Sequence, residues 1–437
     1  MSSKKNYYNE LVKKIKGKKT KVAIIGIGYV GIKLALAFAK AKVKVFCYDQ
    51  DVKKINLISK GESPYSYISD SKIKKVIKYL NLRNSLHEIL EVDVIIFCLP
   101  TPLNKNKPDI SDLRNGWSKV KPFIRTGQLI VLESTTYPGC TEEIFGFDLK
   151  KKFELDNNIF LSYSPERENP GDKKYDFRNT PKVVSGFGKK SLHLCNLLYK
   201  IITHKTILSP SIKLAEMSKL LENIYRSVNI ALINELRIAT LNLNIDLYKV
   251  IKIASTKPFG FQKFFPGPGT GGHCIPVDPT YFSWLSKKNG FAVKFIELSS
   301  KINKFRTNWI VSKIKKIVGN SKNPNSKILI LGLSYKKNIE DTRESASVKI
   351  LEKLKESKYK IDFCDPFVIE KKFLIKNTKI LIKSKKYSKK LFDNYKYIIL
   401  ATDHDCYNYS FIRKTKKVIF DLRGKYQNIS DNNIYQL

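Results

Sequence analysis

The chain has 437 residues, 42% of them hydrophobic, and a formal net charge of +42. That length and apolar content suit two or three domains with proper cores, and no apolar run approaches the ~18 residues of a membrane span. The lysines are spread along the whole chain with no nucleic-acid-reading motif, which favours a uniform surface bias over DNA or RNA binding. The seven cysteines are scattered with no CxxC pair, a pattern of free thiols in a reducing compartment rather than a zinc site or disulfide framework.

The stretch from Met1 to Lys21 is Lys-rich, lacks the apolar core of a signal peptide, and reads as a solvated lead-in. Lys21 to Ile25 then reads as a buried parallel strand, running into Gly26-Ile27-Gly28-Tyr29-Val30-Gly31 and an apolar helix from Ile32 to Ala41. Gly26 suits the tight turn, Gly28 a close approach of backbone to a pyrophosphate, and Gly31 tight helix-on-strand packing. A second strand, Lys44 to Tyr48, ends at Asp49, where an acid can hold both ribose hydroxyls and disfavour a 2′-phosphate. The order strand, glycine triad, helix, strand, acid predicts NAD rather than NADP.

Further strands are expected at Asp93 to Leu99, Gln128 to Leu132 and Ile159 to Tyr163. They deliver Pro100-Thr101-Pro102, Glu133-Ser134-Thr135-Thr136 and Ser164-Pro165-Glu166-Arg167-Glu168-Asn169-Pro170-Gly171 to one sheet edge, as a substrate cleft requires. Ser209-Pro210 is expected to open a long helix, Ser as cap and Pro first. Leu214, Met217, Leu221, Ile224, Val228, Ala231, Ile233 and Leu236 form its apolar stripe, read as core or subunit interface. Lys219 and Asn223 lie four apart on another face, although spacing alone favours a solvated lysine. Asp246 is expected to cap the next helix.

Phe264-Phe265-Pro266-Gly267-Pro268-Gly269-Thr270-Gly271-Gly272-His273-Cys274-Ile275-Pro276-Val277-Asp278-Pro279 sets one thiol in a Gly- and Pro-dense loop with a carboxylate four residues on. Such a loop packs poorly as core but holds a fixed shape against a ligand, so Cys274 is placed for nucleophilic chemistry. Cys47 and Cys98, by contrast, fall in strands and read as small core residues. His273 adjoins Cys274 but is not read as a base, and Glu168 is as well explained by a salt bridge as by a ligand. After a linker around Ser321 to Ser326, strand-then-glycine recurs at Lys327 to Leu333, with later strands at 359–365, 396–400 and 417–420. That is a second Rossmann-like region without the full triad, suited to a mononucleotide.

These ordered motifs, with KLLENIYRSVNIA and GLSYKKNIEDTRES, resemble the UDP-sugar 6-dehydrogenase family from Lys21 to Arg423. The resemblance implies an α/β fold of two Rossmann-like doubly wound parallel-sheet domains joined by a central helical domain with a long helix. The expected boundaries are 1–208 for NAD, 209–320 for the helical and dimerising part, and 321–437 for the UDP-sugar. By resemblance Cys274 is the nucleophile, Lys219 stabilises oxyanions, Asn223 holds the reacting oxygen or a water, and Asp278 and Glu166 orient or deprotonate water and substrate. Thr135 would sit by the nicotinamide, with Gly26, Gly28, Tyr29, Val30, Gly31, Asp49, Pro100 and Thr101 holding NAD. Glu166, Arg167, Lys219, Asn223, Phe264, Gly271 and Lys336 would hold the substrate, and no metal is expected.

Ser164 to Arg167 followed by Asn169-Pro170-Gly171, and Lys257-Pro258-Phe259-Gly260-Phe261 before the glycine loop, resemble the branch acting on UDP-N-acetylhexosamines, UDP-N-acetylglucosamine above all. Lys263 and Ala346 depart from that pattern, where proline is common. UDP-N-acetylmannosamine and UDP-glucose stay open as substrates. So does a catalytically silent binding protein, against which the intact Cys274, Lys219, Asn223 and Asp278 argue. The resemblance further implies a cytoplasmic homodimer without membrane insertion, serving polysaccharide or lipopolysaccharide synthesis.

Overall fold

In a computed structural model, residues 6–65, 67–83, 86–168, 176–319, 326–368, 372–375, 380–429 and 431–437 are described. Asn169, Pro170 and Gly171, and the linker residues 321–325, lie outside the described residues. The chain divides into two compact units, Met1–Glu222 and Asn223–Leu437.

The first unit is built on an eight-stranded sheet. Its strands are β1 (Lys21–Ile25), β2 (Lys44–Tyr48), β3 (Leu80–Arg83), β4 (Val94–Phe97), β5 (Leu129–Leu132), β6 (Phe160–Tyr163), β7 (Lys182–Gly186) and β8 (Thr206–Leu208). The spatial order is β8-β7-β6-β5-β4-β1-β2-β3. Val22 of β1 pairs with Val45 on one side and Val94 on the other, both parallel. The chain therefore reverses winding direction at β1 and β4, and ligands bind outside the carboxyl ends of strands at such a switch point. β1, β4 and β5 are runs of Val, Ile, Leu, Ala and Phe at 6% exposure or less, apart from Lys21 at the start of β1. Continuous apolar strands of this kind belong to a sheet covered on both faces. The sheet is not wholly parallel, because β7 pairs antiparallel with β6, and β8 follows β7.

The opening residues are not a solvated lead-in. Tyr7–Lys16 forms helix α1, capped by the Asn6 side chain, and buries Leu11 and Ile15 at 1% exposure each. With Tyr7, Tyr8 and Val12 packed against the same core, they make an apolar face that the abundant lysines conceal. Helix α2 (Tyr29–Lys40) starts three residues earlier than the apolar pattern suggests, with Gly28 at its N-cap.

The long helix α3 runs Ile212–Asn242. It begins two residues beyond the expected start: Ser211 Oγ accepts from Leu214 N–H at 3.3 Å, while Ser209 turns its hydroxyl to the Ser211 carbonyl. The cap is thus Ser211, whose side chain accepts from the third residue of the helix.

In the second unit follow α4 (Leu247–Ala254), capped as expected by Asp246, then α5 (Asp278–Lys288) and α6 (Lys294–Val318). A five-stranded parallel sheet comes next: β9 (Ile328–Leu331), β10 (Ile361–Cys364), β11 (Tyr397–Leu400), β12 (Val418–Asp421) and β13 (Ile434–Gln436), in the order β10-β9-β11-β12-β13. The fold is therefore mixed α/β, with largely parallel sheets on either side of a helical stretch. Among the described residues no helix is long and apolar enough to cross a membrane.

Candidate active site

The glycine triad makes a cradle for steric reasons that can be stated atom by atom. A Cβ on Gly31 would lie 1.9 Å from the Gly26 carbonyl oxygen, so only glycine lets α2 sit this close to the strand. Gly26 has φ +94°, and its Cβ would meet the Cys98 carbonyl at 2.7 Å. Around Gly28 a Cβ would meet nothing within 4 Å, which leaves open space at the helix N-terminus. Exposed amides at a helix N-terminus favour phosphate, so the residues present fit a dinucleotide. Asp49, at the end of β2, is already oriented by backbone: Oδ2 accepts from Ile27 N–H at 2.8 Å and Oδ1 from Asp51 N–H at 2.9 Å. Tyr29 and Val30 open α2 half-buried, and Pro100 and Thr101 follow β4. Lys33, one turn along α2, binds Tyr29 Oη at 3.0 Å and Glu168 at 2.7 Å. The Glu168 salt bridge anticipated as its bland explanation is thus present.

The loops after β4 and β5 are tied to each other, and those after β5 and β6 to α3. Thr101 Oγ1 donates to the Thr135 carbonyl at 2.8 Å, and Ser134 Oγ to the Leu99 carbonyl at 2.7 Å. Lys219 is only 8% exposed, and its ammonium donates to the Glu166 carbonyl. The solvated lysine that helix spacing alone favours is thereby overturned. Arg167 pairs with Glu222 at 2.7 Å and donates to the Pro181 carbonyl at 2.8 Å. Glu216, fully buried one turn before Lys219, takes the Gly139 and Thr141 amides at 2.5 and 2.9 Å and the Thr141 hydroxyl at 2.6 Å. It clamps the turn after Thr135 to the helix that carries Lys219. A lone Glu inside an apolar stripe, facing a glycine turn, was the available signal for that clamp.

In the second unit Asn223 and Asp278 are buried at 1% and 3%, and Asn223 Nδ2 donates to Asp278 Oδ2. Arg226 donates to the Asn223 carbonyl oxygen, which fixes how the amide is turned. Asp278 begins α5, and its N–H donates to the Cys274 carbonyl at 2.8 Å. Cys274 therefore stands one turn before a helix N-terminus. Gly271 and Gly272 are forced by Tyr335, whose side-chain atoms would lie 2.6 and 2.9 Å from a Cβ at either.

Arg343 was missed by sequence reasoning, although it sits inside the recognised motif. Its carbonyl takes the Gly272 N–H at 2.9 Å, and Nη2 lies 3.1 Å from His273 Nδ1. Burial works to depress its guanidinium, but Asp341, Tyr335 and Cys274 outweigh that and raise it. Arg343 is thus a fixed positive charge felt at the thiol. Phe264 packs half-buried against Ile233, Leu247 and Ile251. Lys336 lies in the turn after β9, where Tyr335 N–H bonds the Asp341 carbonyl at 3.0 Å.

Five of the six other thiols are chemically quiet. Burial pushes Cys47, Cys195 and Cys364 up to about 12, and Cys98 and Cys140 up as well, so all five stay protonated at neutral pH. All seven cysteines are free, and among the described residues no His, Cys, Asp and Glu group could hold a metal.

Comparison with known proteins agrees with this geometry. The chain matches three successive domain models of the UDP-glucose/GDP-mannose dehydrogenase family: the NAD binding domain over residues 20–203, the central domain over 213–305 and the UDP binding domain over 329–428. It is 34% identical over 354 residues to the UDP-N-acetyl-D-glucosamine 6-dehydrogenase of Salmonella typhi, covering 80% of this chain and 82% of that one. It is 32% identical over 356 residues to the UDP-N-acetyl-D-mannosamine dehydrogenase of Methanocaldococcus jannaschii, covering 79% of each. Among solved structures it is similar to a UDP-D-ManNAc dehydrogenase from Pyrococcus horikoshii, with TM-score 0.81, 27% identity, and 94% and 96% of the two chains covered. The chain belongs to the UDP-glucose/GDP-mannose dehydrogenase family, and NAD is its cofactor.

Proposed function

We propose that this chain oxidises the C6 hydroxyl of a UDP-N-acetylhexosamine, specifically UDP-N-acetylglucosamine, through the aldehyde to the uronic acid. What supports this reading most is the buried pairing of Asn223 with Asp278 in the unit that carries Cys274. A surface asparagine and aspartate need no such burial, and a catalytic pair does. The substrate assignment leans on the glucosamine relative at 34% identity. UDP-N-acetylmannosamine is the second reading, favoured by a relative at 32%.

Two NAD molecules, bound in turn, would each supply the acceptor for one hydride, one at each of two oxidations. In the first, a water or carboxylate set by Asp278 and Glu166 takes the hydroxyl proton as C6 loses hydride, and the Lys219 ammonium stabilises the oxyanion. The Cys274 thiolate then adds to the aldehyde carbon, giving a tetrahedral thiohemiacetal that can surrender a second hydride. The resulting thioester is cleaved by a water assigned to Asn223, releasing the carboxylate and returning Cys274 as thiolate, and Thr135 is assigned a place beside the nicotinamide. Arg167, Phe264, Gly271 and Lys336 bind the UDP-sugar, and Gly26, Gly28, Tyr29, Val30, Gly31, Asp49, Pro100 and Thr101 bind NAD.

The division into 1–208, 209–320 and 321–437 goes with this proposal, supported by three family domains in that order. A homodimer is supported by apolar side chains left exposed in the second unit, among them Leu232, Leu243, Ile253, Phe291 and Phe295. A cytoplasmic role in surface-polysaccharide synthesis completes the proposal. Initial rates with UDP-N-acetylglucosamine, UDP-N-acetylmannosamine, UDP-N-acetylgalactosamine and UDP-glucose test it. Preference for the glucosamine is expected, and preference for any other sugar overturns the substrate assignment.

A further inference from the structure

One charged group in the first unit has no part in that chemistry. Glu133 directly follows β5 at 1% exposure, where its carboxylate pairs with Lys182 at the start of β7, also buried. Tyr199, fully buried, donates its hydroxyl to the second carboxylate oxygen at 2.5 Å. The Lys182 ammonium also donates to the Pro165 carbonyl at 2.9 Å and lies 5.0 Å from the Tyr199 ring centre. Desolvating two charges costs several kcal/mol per ion, and apolar residues of similar volume often stabilise as well or better. Stability alone therefore explains this group poorly.

Its connections point elsewhere. Glu133 is two residues before Thr135, in a loop pinned by Ser134 to Leu99 and by Thr101 to Thr135. Through Lys182 it holds the Pro165 carbonyl, one residue before Glu166, and the Glu166 carbonyl in turn receives Lys219. Pro165 has no N–H with which to anchor itself to a neighbouring strand, so this carbonyl is its main-chain handle. We infer that the buried Lys182–Glu133–Tyr199 group is a positioning device that sets the loops bearing Thr135 and Glu166 in register for the reaction proposed above, on which it rests. Burial, with Glu166 adding to it, pushes the Glu133 carboxyl up to about 7 against the pull of Lys182 and Tyr199. The charge state of the device is therefore sensitive to any change at Lys182.

A comparison of Lys182→Met with the double variant Glu133→Leu/Lys182→Met, in the full-length protein, separates positioning from stability. The single variant strands a buried carboxyl group and is expected to melt lower, whereas the double variant removes both charges and is expected to regain most of that loss, short of the cost of leaving the Tyr199 hydroxyl unpaired. Both lose the donor to Pro165. Both are therefore expected to show a kcat about 100-fold below wild type, since misplacement by ~1 Å costs that much, with KM for NAD within about threefold.

A double variant that regains wild-type kcat along with its stability overturns the proposal. Tyr199→Phe removes one hydroxyl, leaves the ion pair in place, and gives a reading even if the double variant does not fold. A lowered kcat and a displaced pH–rate profile support the device, and an unchanged kcat and profile overturn it. Wild-type protein without activity on any UDP-sugar would instead defeat the proposed function, a distinct result.

Discussion

Two glycines of the same turn should fail differently when each gains a methyl group. At Gly31 the new Cβ falls 1.9 Å from the Gly26 carbonyl oxygen and 3.0 Å from its carbon, backbone atoms that cannot swing aside. Ordinary contact begins near 3.4 Å, so α2 must retreat from the strand by roughly 1.5 Å. Ile32, Leu34, Ala35, Phe38 and Ala39, all fully buried, move with it. Overpacking of this kind costs about 1–3 kcal/mol, or about 2–12 °C in melting temperature for a unit of this size. The same retreat withdraws the helix amides from the pyrophosphate, so NAD affinity falls too.

At Gly28 the Cβ meets nothing within 4 Å, and the backbone there, φ −77° and ψ −161°, suits any residue. Gly28→Ala should therefore melt within about 1 °C of wild type yet bind NAD about 10- to 100-fold more weakly, a loss of about 1.4–2.8 kcal/mol. Thermal unfolding by circular dichroism and NAD titration by calorimetry measure the two effects separately. Wild-type NAD affinity in Gly28→Ala, or an unchanged melting temperature in Gly31→Ala, would refute these steric roles.

Other substitutions probe the remaining parts. Cys274→Ser should keep NAD affinity but lose at least roughly 10³-fold in the full reaction; progress curves of NADH would show it, and residual turnover near wild type would remove the thiol from the mechanism. Glu216→Gln turns an NH₂ toward the Gly139 or Thr141 amide, where donor meets donor, and should cost about 1–3 kcal/mol by denaturant unfolding. Equal stability would mean that the clamp does not exist. Burial raises the Asp365 carboxyl, but His404 and the Ser334 and Leu333 amides outweigh it and hold the group below its usual 3.8. Its folded value lies below its unfolded one, so its stabilisation is present above about pH 3.8 and is lost as pH falls through the folded value. The melting-temperature deficit of Asp365→Asn should thus be largest near neutrality and shrink below pH 4, and a deficit that grows in acid would contradict the sign.

Much of the turn between β1 and α2 was legible in the sequence because its requirements are local. Gly26 needs a positive φ, Gly31 must clear a carbonyl five residues away, and Asp49 ends the very next strand. The Asp246 cap was legible for the same reason, its partners being Tyr248 and Lys249. What depends on distant partners was not. Lys219 looks solvated on a helical wheel, and its burial follows from a carbonyl 53 positions earlier in the chain. Arg343 gains its meaning only from the Gly272–Arg343 backbone bond, and the reversal of β7 leaves no mark in an apolar run. Helix α1 was hidden by composition, since its apolar face of Tyr8, Leu11, Val12 and Ile15 is interleaved with many lysines.

The central claim is a four-electron oxidation through a thioester on Cys274. The most direct measurement is NADH formed per UDP-N-acetylglucosamine consumed, with the product identified by mass spectrometry. Two NADH and the uronic acid are predicted. One NADH with accumulating aldehyde would contradict the role given to Cys274, and none in folded, NAD-binding protein would contradict the proposed activity itself.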